Sequence, residues 1–186
     1  MSDTATVLRG TARWMVTFAG FPLGGLAATL LVGPVDTLPA ALLGGLITGL
    51  ILGAVQLAGI GGNRPPAVPW LAATAIGLMV GLGIGAAAVG YATGLGALLV
   101  QGAVCGLAVG AAQAAVLRAR LRRLALAWPP ALAACWAAGW AVTAAIGVRV
   151  DEQFTVFGSS GALVVTALTA VLPLAVGRAS TGPSLS

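Results

Sequence analysis

A chain of 186 residues that is 59% apolar and only 7% charged has too little polar surface to clothe a soluble domain, so its apolar excess must face lipid. The charge comes from nine arginines and four acids, with no lysine or histidine, a net of +5. Apart from one cluster these arginines stand singly between long uncharged runs, which excludes the basic stripe of a nucleic-acid groove.

About 20 apolar residues are needed to cross a hydrocarbon core of roughly 30 Å. The first uncharged run of that order is Trp14 to Val32, followed by the turn chemistry of Gly33-Pro34 with Asp36. Arg9 and Arg13 precede it, but its length and its glycine pattern, which returns downstream, predict a retained span rather than a cleaved signal. Leu38 to Ile60 is the second span, closed by Gly61-Gly62-Asn63-Arg64-Pro65-Pro66. Val68 to Gly90 and Leu95 to Leu117 follow, divided by Tyr91-Ala92-Thr93-Gly94. The arginine cluster ending in Trp128-Pro129-Pro130 leads into Pro130 to Val148, and Arg149 to Phe157 into the last span, Gly158 to Val176. Pro22 and Pro173 should kink the first and last spans. None of these runs alternates apolar and polar residues as a barrel strand would. The fold class predicted is an all-α transmembrane six-helix bundle forming one membrane domain over residues 1–186, with short tails.

With the N-terminus inside, Arg9, Arg13, Arg64, Arg118, Arg120, Arg122, Arg123 and Arg178 all fall on inner segments, against Arg149 with Asp36, Asp151 and Glu152 outside. That asymmetry predicts both termini in the cytoplasm of a bacterium and a multi-pass protein of the inner membrane. Trp14, Trp70 and Trp128 sit at the inner ends of ascending spans, where indoles are expected among headgroups.

The chain also repeats itself. Gly49-Leu-Ile-Leu-Gly53-Ala-Val-Gln56 returns 57 positions later as Gly106-Leu-Ala-Val-Gly110-Ala-Ala-Gln113. The same offset carries Gly45 onto Gly102, and Gly20, Gly24 and Ala28 onto Gly77, Gly81 and Gly85. A fainter third copy places Gly77, Gly81 and Gly85 on Gly139, Thr143 and Gly147, Arg118 on Arg178 and Gln113 on Pro173. The repeated unit is then a whole hairpin, over about 10–62, 66–120 and 128–178. Each hairpin returns the chain to the same side, so the repeats are parallel and predict a pseudo-threefold ring about the membrane normal.

Small residues four apart share one helix face and let two backbones approach in lipid. Gly20, Gly24, Gly45, Gly49, Gly53, Gly77, Gly81, Gly85, Gly102, Gly106, Gly110, Gly139 and Gly147 are the helix-packing positions this predicts. Gln56 and Gln113 hold equivalent places near the inner ends of two spans. An amide in hydrocarbon is costly unless bonded, so each should bond a neighbouring helix, or the pair should form a polar mouth. Thr48, Thr74, Thr143, Thr166 and Thr169 are expected to return their hydroxyl bonds to the preceding turn. Arg118, Arg120, Arg122 and Arg123 read as a lipid-headgroup anchor. Cys105 and Cys135 lie at different depths, so no disulfide is expected between them.

No acid, arginine or lysine falls inside a span, although proton relays and ion-coupled pumps commonly use such groups. With no histidine, no nucleophile beside a base and no metal-ligand spacing, no catalytic, cofactor or metal site is predicted. Gly106-Leu-Ala-Val-Gly110-Ala-Ala-Gln113-Ala-Ala-Val-Leu117-Arg118 resembles a group of uncharacterised bacterial multi-span integral membrane proteins built from repeated hairpins, whose descending helix reads roughly GxxxGxxQWxxLR. Ala114 stands where that pattern has tryptophan, and Gly49 to Gln56 matches its first half only. The resemblance implies a multi-span fold and no known activity. The functional expectation is a non-enzymatic packing or accessory component, with membrane lipids, a membrane-protein partner or its own homo-oligomer as partners and no nucleic acid. The alternative is a passive channel or uncoupled carrier for a small solute along the threefold axis.

Overall fold

In the computed structural model, which describes residues 2–147 and 159–181, every regular element is helical. The described helices are α1 (Ser2–Met15), α2 (Gly20–Val32), α3 (Leu38–Ile60), α4 (Ala67–Ala88), α5 (Leu95–Leu121), α6 (Trp128–Ala145), α7 (Ser159–Leu168) and α8 (Val171–Thr181). Short 3-10 segments join α1 to α2 (Val16–Ala19), follow α3 (Gly61–Asn63) and join α5 to α6 (Arg122–Ala127).

Among the described residues, five stretches are long and apolar enough to cross a membrane: Val7–Val32, Leu38–Ile60, Ala67–Ala88, Leu95–Ala145 and Ser159–Val176. The fourth is 51 residues long and holds both α5 and α6. The predicted span Leu38 to Ile60 coincides with α3. The loop from Arg149 to Phe157, with Asp151 and Glu152, lies outside the described residues.

Local chemistry sets the ends. Thr37 accepts a bond from the Ala40 amide at 3.4 Å and caps α3, with a proline in its first turn. Gly61 (φ +81°) and Gly90 (φ +60°) follow α3 and α4 in the left-handed region that glycine adopts without a steric penalty.

From α2 to α7, successive helices pack antiparallel through glycines. A β-carbon built on Gly20 or Gly24 of α2 would lie 3.2 Å from the Leu52 Cα and 3.0 Å from the Thr48 Cα of α3. On the other face of α3, Gly45 meets Leu78, Gly49 would place a β-carbon 2.6 Å from the Ala75 Cα, and Gly53 meets Thr74, all of α4. Gly77 and Gly81 of α4 would each place one 2.8 Å from α5 backbone, at Val109 and Cys105, and Gly85 one 3.2 Å from Gln101. Gly102, Gly106 and Gly110 of α5 face Trp136 and Trp140, Leu132 and Pro129 of α6. Gly139 faces Gly161 and Val165 of α7. Adding 57 to both members of the pairs Gly20–Leu52 and Gly24–Thr48 gives Gly77–Val109 and Gly81–Cys105.

Gly147 departs from expectation. It lies beyond α6 at φ +77°, with no heavy atom of the described residues within 4 Å of a built β-carbon, so among these it ends that helix rather than packing against a neighbour.

The chain closes on itself, because α7 contacts α1, α2 and the 3-10 segment between them. The middle of the bundle is filled: Phe21, Leu52, Leu78, Cys105, Val109, Leu132, Trp136, Ala162 and Val165, drawn from α2 through α7, form one buried apolar cluster. Phe21 and Trp136 meet edge to face there at 5.4 Å, a favoured aromatic geometry. A second cluster, with Trp14, Leu57, Ile60, Trp70, Leu117, Ala125, Leu172 and Val176, seals the end where α3 and α5 finish and α4 and α6 begin.

Candidate functional site

Thr143 lies toward the other end of α6, but five of the buried polar side chains, Thr17, Thr74, Gln113, Thr166 and Thr169, gather just inside the sealed end. Two interrupted helices reach it. Proline has no amide hydrogen to donate, so Pro22 cannot bond the Phe18 carbonyl, and the chain from Val16 to Ala19 tightens to 3-10 before α2 resumes. Likewise Pro173 cannot bond Thr169, whose carbonyl instead takes the Leu172 amide at 2.9 Å. The last stretch therefore breaks into α7 and α8 rather than bending smoothly, and both interruptions lie side by side.

Trp14, 1% exposed, bridges them. Its Nε1 donates to the Thr166 carbonyl at 3.0 Å and to Thr169 Oγ1 at 3.2 Å. Across the bundle, Trp128 Nε1 donates to Gln113 Oε1 at 2.9 Å. Gln113, fully buried, spends both amide hydrogens, one on Gln56 Oε1 at 3.1 Å and one on Thr74 Oγ1 at 3.0 Å. Thr74 in turn donates to the Trp70 carbonyl at 2.9 Å. Thr143, Thr166 and Thr169 also return their hydroxyl bonds to the turn before them.

The amides Gln56 and Gln113 thus bond each other across α3 and α5, a contact between the two equivalent positions of the sequence repeat. Trp14 and Trp70 correct the expectation of headgroup indoles: both are buried in the bundle, and the Trp14 N–H is directed to an interior acceptor. Trp70 Nε1 has no hydrogen-bond partner among the described residues.

Sequence reasoning missed Trp14, Trp128 and Thr169 as members of this network. The signal was the even spacing of Trp14, Trp70 and Trp128, one per hairpin, beside the two amides. A cavity of about 10 Å³ lies between the two halves of the network, lined by Trp14, Thr17, Gln56, Trp128, Thr166 and Thr169 among others. That is about one water molecule's worth of room.

Below the network, Arg9, Arg13, Arg64, Arg118, Arg120, Arg122 and Arg123 share the sealed end, and Asp36 lies at the other. Arg118, Arg120, Arg122 and Arg123 are exposed, at and just beyond the last turn of α5, where cations favourably meet a helix C-terminus. Arg13 Nη2 donates to the Ala58 carbonyl at 3.0 Å, and its guanidinium rests on Gly61, where a β-carbon would lie 2.6 Å from Nη1. Cys105 and Cys135 are free thiols, one buried and one half-buried.

No family model, curated protein or solved structure matches the chain.

Proposed function

We propose that this chain is an integral membrane protein that crosses the bilayer six times, as three parallel hairpins in a pseudo-threefold ring, and serves as a non-enzymatic packing or accessory component. The single observation that carries the role is the filled centre. Side chains from every helix between α2 and α7 meet there, which argues against a wetted path along the axis through the described residues.

The six crossings are supported by α5 and α6, which lie antiparallel within the 51-residue stretch, Gly102 to Trp136 at one end and Gly110 to Pro129 at the other. The ring is supported by the contact pairs that recur at an offset of 57 residues and by the contact of α7 with α1 and α2. Seven arginines at one end, with Asp36 opposite, support an inner-membrane orientation with that end in the cytoplasm. On this reading Arg118, Arg120, Arg122 and Arg123 rest among anionic headgroups, while the exposed leucines of α2, Leu23, Leu26, Leu30 and Leu31, face acyl chains, a partner helix or a second copy.

Reconstitution tests the role. Liposomes carrying the purified protein should release small neutral and monovalent ionic solutes no faster than protein-free liposomes. Protein-dependent release that Gln56→Leu abolishes would replace the accessory role with a channel.

A further inference from the structure

We propose that the cavity between the two interrupted helices is a binding site for one water molecule, which ties the 3-10 segment, α3 and α7 together. Three independent observations converge on it.

The first is size. The cavity measures about 10 Å³, about the room that one water needs. The second is unspent bonding capacity. Thr17 is 3% exposed and lines the cavity, which brings its hydroxyl to the cavity wall. Gln56 also lines it, and its one bond there is through Oε1, accepting from Gln113, so both amide hydrogens remain to be given. Thr166 and Thr169 donate their hydroxyl hydrogens to Ala162 and Val165, and beside the bond that Thr169 accepts from Trp14 each oxygen keeps a lone pair for an incoming donor. A water accepting from Gln56 and donating to a threonine oxygen, with the Thr17 hydroxyl turning to complete the set, has the two to four polar partners that a buried water requires.

The third is position. In hydrocarbon, backbone that departs from the α-helix persists only where protein encloses it or where it lines a hydrated cavity. Both interruptions, at Val16–Ala19 and at Thr169, border this cavity. Leaving the Gln56 amide hydrogens unbonded at the cavity wall would carry a desolvation cost that water removes.

The test is water-to-protein magnetisation transfer by NMR on the whole chain in lipid nanodiscs, with labelled threonine methyls and glutamine amides. Transfer from the water resonance is expected at the Thr17 methyl and at the Gln56 side-chain amide. None is expected at the Thr74 methyl, because Thr74 is fully buried and its hydroxyl is already bonded in both directions. In Thr17→Val, which keeps the shape and removes the hydroxyl, transfer at Gln56 should fall at least fivefold while the Trp128 indole resonance stays in place. Absence of transfer at both groups in the unaltered protein would overturn the proposal without any variant. So would equal transfer at Thr74, which would mean general water penetration, or an unchanged Gln56 signal in Thr17→Val.

Discussion

Two seams of the bundle are built in opposite ways. Between α4 and α5, Gly77, Gly81 and Gly85 bring backbone against backbone, and a β-carbon at Gly77 would fall 2.8 Å from the Val109 Cα. Between the first stretch and α7 the helices are held by a tryptophan, threonines and a small polar cavity. Close glycine contact gains many weak dispersion contacts along a regular helix and tolerates no extra volume. The polar seam joins two helices that prolines have interrupted, so it depends on a few directional bonds and accommodates irregular backbone.

The sharpest way to break the comparison is Gly77→Leu. An added side chain at that distance must push α4 from α5, and overpacking of this kind costs about 1–3 kcal/mol or more. Unfolding of the purified protein in mixed micelles should show the loss. An unaltered midpoint would mean that the α4 and α5 backbones are not in contact there.

Trp14→Phe probes the other seam. It keeps an aromatic ring and removes one donor with two acceptors, so the loss should be about 1 kcal/mol, in the range for hydrogen bonds between membrane helices. The same unfolding measurement serves, and a loss as large as that of Gly77→Leu would erase the distinction drawn between the seams. The smallest effect belongs to Gly96→Ala. A β-carbon at Gly96 would meet nothing within 4 Å, so removing a flexible residue from α5 should leave stability equal or raise it by up to about 1 kcal/mol.

The glycine seams were legible in the chain because their signal is local: residues four apart share a face whatever the partner helix is. That logic picked out Gly45, Gly49 and Gly53 as packing positions without naming their partner helix, which the structure gives as α4, whereas at Gly147 the glycine stands in a left-handed turn. The polar seam was far less legible. That Gln56 would bond something followed from the cost of a bare amide in lipid, but that it would bond Gln113 depended on which helices adjoin. Trp14 was assigned to the headgroups because an indole at a span end has two stable homes, and only tertiary structure chooses between them. The prolines at 22 and 173 announced bends, yet that the two bends would meet was not written near either one.

That meeting has a consequence for the order of assembly. The acceptors of the Trp14 indole lie 152 and 155 residues further along the chain, so during synthesis the first stretch enters the bilayer long before its partners exist. The glycine seams join neighbours in the chain and can zip up as each helix emerges, whereas ring closure must wait for α7. A nascent chain halted before residue 159 would therefore lack both acceptors of the Trp14 indole.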